Sequence, residues 1–269
     1  MGNAAKGAQI SPLDWNPDAY GQFRDLRLRP ALDLLAQVPD LPEKGRVIDL
    51  GCGAGAMAEA LSYRFRQRRI VGVDNSESML KKAAATGAYH RCDLADIASW
   101  EPSKPPALIF SNAALHWLGD HATLLPRLAG MLRPGGVLAV QMPRQFGAPS
   151  HRFLREFATE MFPDRFDFTG WKPPVAELAD YARILSPLGH ADLWQTDYLQ
   201  RLLPGDDGHP VRRFTESTAM CPFLEKLSEP ERAAFTARYE AALEAAYPAE
   251  RDGTVLFPFR RIFCVLQVR

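Results

Sequence analysis

Short apolar runs alternate with amphipathic segments of helical spacing through the first half of this 269-residue chain. Five of the runs are predicted to be strands, over residues 46–50, 69–73, 89–94, 107–111 and 137–142. Helices are predicted between them, over 56–65, 76–85 and 121–132, and before them over 30–37, where Pro30 occupies the first turn. This alternation is typical of βαβ units, in which helices cover both faces of a mostly parallel sheet.

The pattern changes after residue 143. Helices are predicted over 150–161, 175–188 and 229–247, and strands over 191–199 and 261–268, with a loop rich in Pro, Gly and Asp at 203–210. We expect the last two strands to return to the same sheet as a hairpin-like pair. The chain is therefore predicted to be α/β, with a doubly wound, Rossmann-like sheet of seven mostly parallel strands and a helical insertion at 211–253 that covers the substrate.

Three regions follow from this arrangement. Residues 1–29 form an N-terminal tail and lid, residues 30–145 the Rossmann-like core, and residues 146–269 a helical substrate-covering region that contains the last two strands. The lid is inferred from Trp15, Tyr20 and Phe23, which show little core periodicity and precede the first helix. Alternatively, these aromatic side chains form a hydrophobic patch that covers the sheet.

Composition narrows the function classes. The chain has 32 basic and 32 acidic residues, so no overall field attracts a polyanion such as nucleic acid, and a charged ligand must be met by local groups. The four cysteines form no CxxC pair and the six histidines show no metal-ligand spacing, which indicates no metal site and suits a reducing cytosol. No apolar stretch has the length of a membrane span, and residues 1–9 lack the apolar core of a signal peptide. We expect a cytoplasmic monomer or homodimer with neither nucleic acid nor membrane as a partner.

A glycine-rich loop follows the first predicted strand, in the run Asp-Leu-Gly-Cys-Gly-Ala-Gly at 49–55. Open α/β sheets bind ligands at the carboxyl ends of their strands, and glycine lets the backbone approach a ligand closely. Asp74 ends the second predicted strand, where a carboxylate can accept both hydroxyls of a ribose, as in NAD or S-adenosylmethionine. Asp49 favours S-adenosylmethionine, because its carboxylate would repel a pyrophosphate and suits an ammonium group. The loop alone is also compatible with a plain tight turn.

The run Val-Ile-Asp-Leu-Gly-Cys-Gly at 47–53 resembles the first motif of class I methyltransferases. The resemblance implies that the glycines line S-adenosylmethionine, that Asp74 holds the ribose, and that a third acidic residue meets the adenine amine. Asp93 and Asp96 are both candidates for that third role, and Asp96 is slightly favoured. The donor-binding residues predicted in this way, which would also hold the product S-adenosylhomocysteine, are Arg29, Asp49, Gly51, Cys52, Gly53, Asp74, Asn75, Met79, Asp93, Leu94, Asp96, Ile97, Asn112 and Ala113.

A wider resemblance, to trans-aconitate methyltransferases, rests on the segments 14–20, 27–31, 111–117, 138–143 and 260–263. It implies transfer of a methyl group to a carboxylate oxygen of a small polycarboxylic acid, which gives a monomethyl ester. A carboxylate is already ionised at neutral pH, so we predict no catalytic acid or base and expect placement and exclusion of water to lower the barrier. The substrate-binding residues predicted from the family pattern are Tyr20, Arg27, His116, Trp117, His151, Arg155, Tyr181, Tyr198 and Arg261.

The chain departs from that family pattern at two positions. Cys221 stands where the family pattern has an arginine, and His116 replaces a common glutamine. If the arginine is a substrate anchor, this protein recognises fewer carboxylates or a different acid, unless Arg212 or Arg213 compensates. Four alternatives remain: a methyltransferase for another small acid, one for a natural-product hydroxyl, a non-catalytic regulator that binds S-adenosylmethionine, and an NAD-dependent enzyme. An arginine on a helix is also often only a solvated surface group.

Overall fold

The computed structural model describes residues 24–269 of the backbone and the side chains from residue 28 onward. It has the predicted seven-stranded sheet, with strands β1 Val47–Leu50, β2 Ile70–Asp74, β3 Arg91–Leu94, β4 Leu108–Asn112, β5 Val137–Pro143, β6 Gly189–Leu202 and β7 Val255–Val268. The strand order is β3-β2-β1-β4-β5-β7-β6. Strand β7 is antiparallel to both of its neighbours, and the other adjacent strands are parallel. The predicted doubly wound α/β fold is confirmed.

Helices connect and cover these strands. They are α1 Arg24–Ala36, α2 Ala58–Arg64, α3 Glu77–Ala85, α4 His121–Gly130, α5 Pro149–Met161, α6 Leu178–Leu185, α7 Pro210–Glu216, α8 Cys221–Leu224 and α9 Glu229–Ala246, with a single 3-10 turn at Leu115–Trp117. Side chains satisfy the first N–H groups of several helices: the Ser76 hydroxyl accepts a hydrogen bond at the start of α3, and Ser228 forms a capping box with Glu231 at the start of α9. None of the helices in residues 24–269 combines the length and apolar character needed to cross a membrane.

Each face of the sheet has its own apolar core. On one face, Leu125 and Leu128 of α4 pack with Leu185 of α6 against the strands. On the other face, Leu34 of α1 and Leu61 of α2 cover the sheet. Burial of one such leucine contributes about 1.5–3 kcal/mol, so these two layers hold the strand ends in fixed positions.

A third apolar core lies beyond the end of β5. Strand β5 pairs with β7 only from Arg261 onward, whereas β6 and β7 remain paired as far as Leu202 and Val255. The protruding end of this two-stranded ribbon packs against α5, α7 and α9 through buried aromatic side chains, including Phe214, Phe235 and Phe257. The insertion is thus attached to the sheet by two continuous strands.

Several element boundaries differ from the prediction. Strands β6 and β7 each have 14 residues, and the prediction missed the start of β7 because exposed residues, among them Pro258, interrupt its apolar run. Helix α1 already includes Arg24, so Pro30 lies inside the helix and not in the first turn. Residues 25–29 read Asp-Leu-Arg-Leu-Arg, and this alternation of polar and apolar positions does not have helical spacing. Helix α6 begins at Leu178, three residues later than predicted.

Candidate functional site

The glycine loop lies between β1 and α2, at the carboxyl edge of the sheet. Gly51 and Gly53 have positive φ values of 77° and 52°, which L side chains rarely adopt. A Cβ atom added to Gly51 would lie 2.2 Å from Cβ of Ala114, so this glycine is required for close packing against the segment after β4. A Cβ added to Gly53 would meet no atom of the described residues within 4 Å. The loop therefore presents open backbone at Gly53, where a ligand can approach closely.

Asp74, at the end of β2, holds the glycine loop through a hydrogen bond. Its Oδ2 accepts a hydrogen bond from the Gly53 N–H at 2.8 Å, and its Oδ1 accepts one from the Ser76 N–H at 2.9 Å. An ionised carboxylate has about four lone-pair sites, so about two remain for the hydroxyls of a ribose. Asn75 follows in an exposed position, and Met79 is buried on α3.

Asp49 is buried beneath the glycine loop, with 3% of its surface exposed. The Tyr89 hydroxyl donates a hydrogen bond to Asp49 Oδ2 at 2.5 Å. Burial raises the pKa of Asp49 to about 7; the Tyr89 hydrogen bond opposes this shift and the negative charge of Asp74 adds to it. A cation that binds here would lower this pKa and stabilise the carboxylate, which is the response expected of a group that meets an ammonium.

The segment after β3 distinguishes the two candidates for the adenine contact. Asp93 is engaged by Arg91, whose Nη2 lies 2.8 Å from Asp93 Oδ2. Asp96 Oδ1 accepts a hydrogen bond from the N–H of Ala98 at 2.9 Å, in a local turn, and no described cation engages it. The Cδ1 atom of Ile97 lies 3.4 Å from the position of a Cβ on Gly51, so this segment borders the glycine loop. Its geometry therefore favours Asp96 over Asp93. Leu94 is largely exposed beside them.

A row of polar side chains crosses the sheet at its carboxyl edge. The strand registers place Asp49 of β1, Asn112 of β4, Gln141 of β5 and Arg261 of β7 on the same face. Asp49, Gln141 and Arg261 are almost fully buried. Within the described part of the chain, Asn112 Oδ1 and Gln141 Nε2 have no hydrogen-bond partner. Buried polar groups are usually paired, so these atoms are candidates for contact with a ligand.

The backbone after β4 is strained where it enters this row. Ala113 has a positive φ of 51°, and its N–H donates a hydrogen bond to the Gln141 carbonyl at 2.9 Å. A left-handed conformation is uncommon for a residue with a side chain and is frequent near functional sites. Ala113 was among the predicted donor-binding residues, and it lies next to Ala114, which touches the glycine loop.

Two half-buried histidines are neutral at physiological pH. Burial lowers the pKa of His116 to about 3, and the positive charge of Arg261 acts in the same direction. Burial also lowers the pKa of His151 to about 3, with a contribution from Arg155. In the described part of the chain, Nδ1 of His116 has no hydrogen-bond partner. Trp117 lies beside it, with ring centroids 4.6 Å apart.

Two of the predicted arginines lie near these histidines. Arg261 is 4% exposed, its guanidinium lies 4.7 Å from the centre of the Phe259 ring, and it donates a hydrogen bond to Gln141 Oε1 at 3.3 Å. Arg155 on α5 donates to the carbonyl of Phe146 at 2.7 Å. The ring of His151 contacts both Phe146 and Phe259, with centroids 6.1 and 6.3 Å apart. These contacts bring Arg155, His151 and Arg261 into one cluster around the two phenylalanines.

Other predicted residues lie elsewhere or are engaged. Tyr181 is fully buried in the core under α4 and α6, and its hydroxyl contacts His121 Nδ1 at 2.6 Å, so it acts as a core residue. Tyr198 donates to Asp33 Oδ2 at 2.6 Å, and the Arg29 guanidinium lies 5.6 Å from the centre of its ring. Cys52 is buried and packs against Gly72 of β2. Tyr20 and the side chain of Arg27 are outside the described residues.

Arg212 is not available to replace the arginine expected at position 221. Its guanidinium is bound by three carboxylates, those of Asp207, Glu216 and Glu240. Arg213 donates a hydrogen bond to the carbonyl of Leu203. The thiol of Cys221 is half-buried and points to the Glu216 carbonyl. The compensation proposed from the sequence is therefore wrong for Arg212, because an ion-pair cluster inside the insertion occupies its donors.

Three residues of this region were missed by sequence reasoning. Tyr89 was predicted only as the start of a strand, and nothing in its neighbourhood indicates the contact with Asp49. Phe259 was assigned to no element. Gln141 gave a usable signal, because it is a polar residue inside the buried strand predicted over 137–142. Within the described residues, His, Cys, Asp and Glu side chains form no group of three or more that could hold a metal ion.

The fold and the glycine-loop site together define a methyltransferase domain. The family model described as "Methyltransferase domain" matches residues 20–205. Among solved structures, the YcgJ protein from Bacillus subtilis has a TM-score of 0.55 at 16% identity, covering 90% of this chain and 99% of that one. Phosphoethanolamine N-methyltransferase 2 from Haemonchus contortus has a TM-score of 0.51 at 17% identity, covering 90% and 53%. These two structures share the fold.

Closer relatives give the family. A trans-aconitate 2-methyltransferase from Azoarcus sp. strain BH72 is 44% identical over 254 residues, which cover 93% of this chain and 98% of the relative. The enzyme of the same name from Streptomyces avermitilis is 44% identical over 261 residues, covering 93% and 96%. The chain belongs to the trans-aconitate 2-methyltransferase family.

Proposed function

We propose that this chain transfers the methyl group of S-adenosylmethionine to a carboxylate oxygen of trans-aconitate or a related small polycarboxylic acid, which yields the monomethyl ester. The observation that carries the proposal is the cluster of buried Arg261 and Gln141 with half-buried His116 and His151, at the same edge of the sheet as the glycine loop. These groups are a cation, two neutral imidazoles and an amide, all able to donate hydrogen bonds to carboxylates. The relatives with 44% identity bear the name of this reaction.

The donor side of the proposed site fits S-adenosylmethionine. The open backbone at Gly53 admits the ligand, Asp74 receives the ribose hydroxyls, and Asp96 and Ile97 border the adenine. Asp49 accepts the ammonium group, directly or through water. We also assign to this side the remaining residues predicted for the donor, with Asp93 the weaker candidate for adenine because Arg91 engages it.

The chemistry requires little from the protein beyond placement. S-adenosylmethionine supplies an electrophilic methyl group on a cationic sulfur, and the C–S electron pair stays with the sulfur when a carboxylate oxygen forms the new C–O bond. No proton moves, so neutral His116 and His151 serve as hydrogen-bonding and wall residues. Arg261 and Arg155 hold the other carboxylates of the acid. Burial of the cluster excludes water, which strengthens each of these electrostatic contacts.

The direct test uses S-adenosylmethionine labelled in its methyl group. We expect a base-labile labelled ester with trans-aconitate, and binding of S-adenosylhomocysteine measured separately by calorimetry. If S-adenosylhomocysteine binds and no ester forms with trans-aconitate or related acids, the acceptor assignment is wrong and the donor assignment stands. If S-adenosylhomocysteine does not bind and no ester forms, the donor and acceptor assignments are both wrong. A small-acid substrate also suits a cytoplasmic monomer or homodimer without nucleic acid or membrane partners.

A second acceptor class is favoured by the insertion. Cys221 replaces the family arginine and Arg212 is held by three carboxylates, so one cation fewer than the family pattern is available. An acid with two carboxylates is the natural alternative. Comparison of kcat/KM for trans-aconitate and for an unsaturated dicarboxylic acid of similar length separates the two acceptors. A gain in trans-aconitate activity on Cys221→Arg would indicate that the natural substrate has fewer carboxylates.

A further inference from the structure

A basic cleft lies at the amino edge of the sheet, opposite the glycine loop. Its volume is about 690 Å³, and its walls are the four loops that lead into β1, β2, β4 and β5. We define the basic cleft by the lining residues 43–46, 67–69, 104–105 and 132–134. Small-molecule sites have volumes of roughly 300–1,000 Å³, so the cleft is large enough for a small ligand.

The charge of the cleft is strongly one-sided. Its lining contains one carboxylate, Glu43, and six cations, which are Lys44, Arg46, Arg68, Arg69, Lys104 and Arg133. The complete chain has equal numbers of acidic and basic residues, so this excess is local. Every one of the four loops contributes at least one cation. Like charges in a concave site reinforce one another's field and attract anions.

Most of these cations have no partner in the described structure. Arg68 is satisfied, because it donates to the carbonyls of Gly45 and Pro42 and so ties two loops together. The other five cations form no hydrogen bond or ion pair with any described residue. Arg46 and Arg133 are nevertheless half-buried. A half-buried guanidinium without a counter-charge has lost part of its hydration without compensation.

The ends of nearby helices do not account for this arrangement. Cations near a helix C-terminus interact favourably with its dipole, and Arg133 follows α4, which ends at Gly130. Lys44 and Arg46, however, lie eight and ten residues beyond the last residue of α1, Ala36, where the helix dipole no longer acts. Lys104 lies between β3 and β4, with no helix between them. Arg212 in the insertion has a structural role, and its charge is neutralised by ion pairs with three carboxylates. The lining of the basic cleft has Glu43 as its one carboxylate, and no described cation of the cleft forms an ion pair with it.

We propose that the basic cleft binds a small polyanion that carries at least three negative charges on phosphate or carboxylate groups. The planar guanidinium groups of Arg46, Arg69 and Arg133 suit bidentate contacts with either group. Lys44 and Lys104 add charge at the exposed rim. The site is separate from the methyl-transfer site, because the two lie at opposite edges of the same parallel strands.

Calorimetry on the full chain saturated with S-adenosylhomocysteine tests the proposal. Inorganic tripolyphosphate is titrated in one arm and citrate in the other, at 150 mM NaCl, where the Debye length of about 8 Å suppresses nonspecific attraction. We expect one molecule of at least one anion to bind. The double variant Arg46→Gln with Arg133→Gln should bind it at least about 10-fold more weakly, since contacts between charged groups are the strong ones.

The matched control is Arg183→Gln with Arg201→Gln, which removes the same charge from exposed arginines paired with Asp180 and Asp252. Its affinity for the anion should stay within about 2-fold of the native value. Tighter binding of tripolyphosphate indicates a phosphate ligand, and tighter binding of citrate indicates a polycarboxylate.

The proposal also predicts the stability of the ligand-free chain. Removal of two like charges from the cleft should raise the melting temperature at low salt, and the control should not. If the arginine double variant does not fold, Lys44→Gln with Lys104→Gln, at exposed positions, gives the same test of affinity. The proposal is overturned if neither tripolyphosphate nor citrate binds at 5 mM. It is also overturned if the control variant loses as much affinity as the cleft variant.

Discussion

Removal of the Tyr89 hydroxyl should weaken donor binding in a pH-dependent way. Tyr89→Phe keeps the ring, which packs against Gly55 and Gly72, and deletes only the group that donates to Asp49 at 2.5 Å. A hydrogen bond to a charged group contributes about 1.5–3 kcal/mol, which corresponds to about one to two pKa units. The pKa of Asp49 is about 7 in the native chain, so we expect a value of about 8–9 in the variant, since the lost bond favoured the ionised form.

The size of the effect follows from the ionised fraction of Asp49. At pH 7 about half of the native carboxylate is ionised, compared with about 1–9% in the variant. If the ligand ammonium requires the carboxylate, affinity for S-adenosylhomocysteine should fall by about 5- to 50-fold at pH 7. At pH 8.5 the native group is fully ionised and the variant partly so, and the difference should shrink below about 5-fold.

The assay is calorimetric titration of both proteins with S-adenosylhomocysteine between pH 6.5 and 8.5. Ionisation of the ligand's own amine affects both proteins equally and cancels in the ratio of their Kd values. A ratio that does not change with pH would falsify the linkage between Tyr89 and the ionisation of Asp49. Tyr63→Phe on α2 is the matched control, because Tyr63 is 72% exposed and should leave the Kd unchanged.

Three further substitutions test other parts of the site. Asp49→Asn should abolish tight donor binding and stabilise the ligand-free chain above pH 7 by at most about 4 kcal/mol. The stability that the raised pKa of Asp49 contributes is fully present below pH 3.8, the pKa of the unfolded state, and is lost as the pH rises through about 7 because the buried carboxyl ionises. Thermal melts at pH 5 and 8 check the sign of this effect. Gln141→Leu should raise the KM for the acid by about 10-fold, because it removes the contact that orients Arg261. The Kd of S-adenosylhomocysteine should stay unchanged. Equal changes in the KM and the Kd would contradict this assignment. Gly51→Ala should unfold or severely destabilise the chain, since the added Cβ would lie 2.2 Å from the Cβ of Ala114. If thermal melts show a stable variant and the variant is active, the glycine loop can shift to make room.

The core of the fold was predictable because its signals are local. Strands β1, β2, β4 and β5 are short, almost fully buried runs bounded by loops, and their positions agree with the prediction within two residues. The glycine loop and the acidic ends of β1 and β2 follow directly from the run 49–55 and from Asp74. The donor side thus depends on residues close together in sequence, whose spacing alone brings them to one edge of the sheet.

The acceptor side was less predictable because it depends on distant contacts. Arg212 and Tyr181 looked like candidates for ligand contact, and only the fold reveals that three carboxylates and His121 already engage them. The Tyr89 contact joins positions 40 residues apart, and no pattern in the sequence links them. The pairing register of β5 and β7 is also a long-range property, and it places Gln141 and Arg261 on one face of the sheet.

The polar row also explains why ligand binding and stability are opposed in this site. Asn112 Oδ1, Gln141 Nε2 and His116 Nδ1 are buried, and no described residue pairs with them. A buried polar group without a partner costs about 1–3 kcal/mol, and the raised pKa of Asp49 adds a further cost near neutral pH. These costs fall on the folded chain without ligand and are relieved when a ligand supplies the missing partners. The residues that make the ligand-free site least stable are therefore those that gain most from binding, so a change to apolar side chains would strengthen the fold and weaken recognition of the acid.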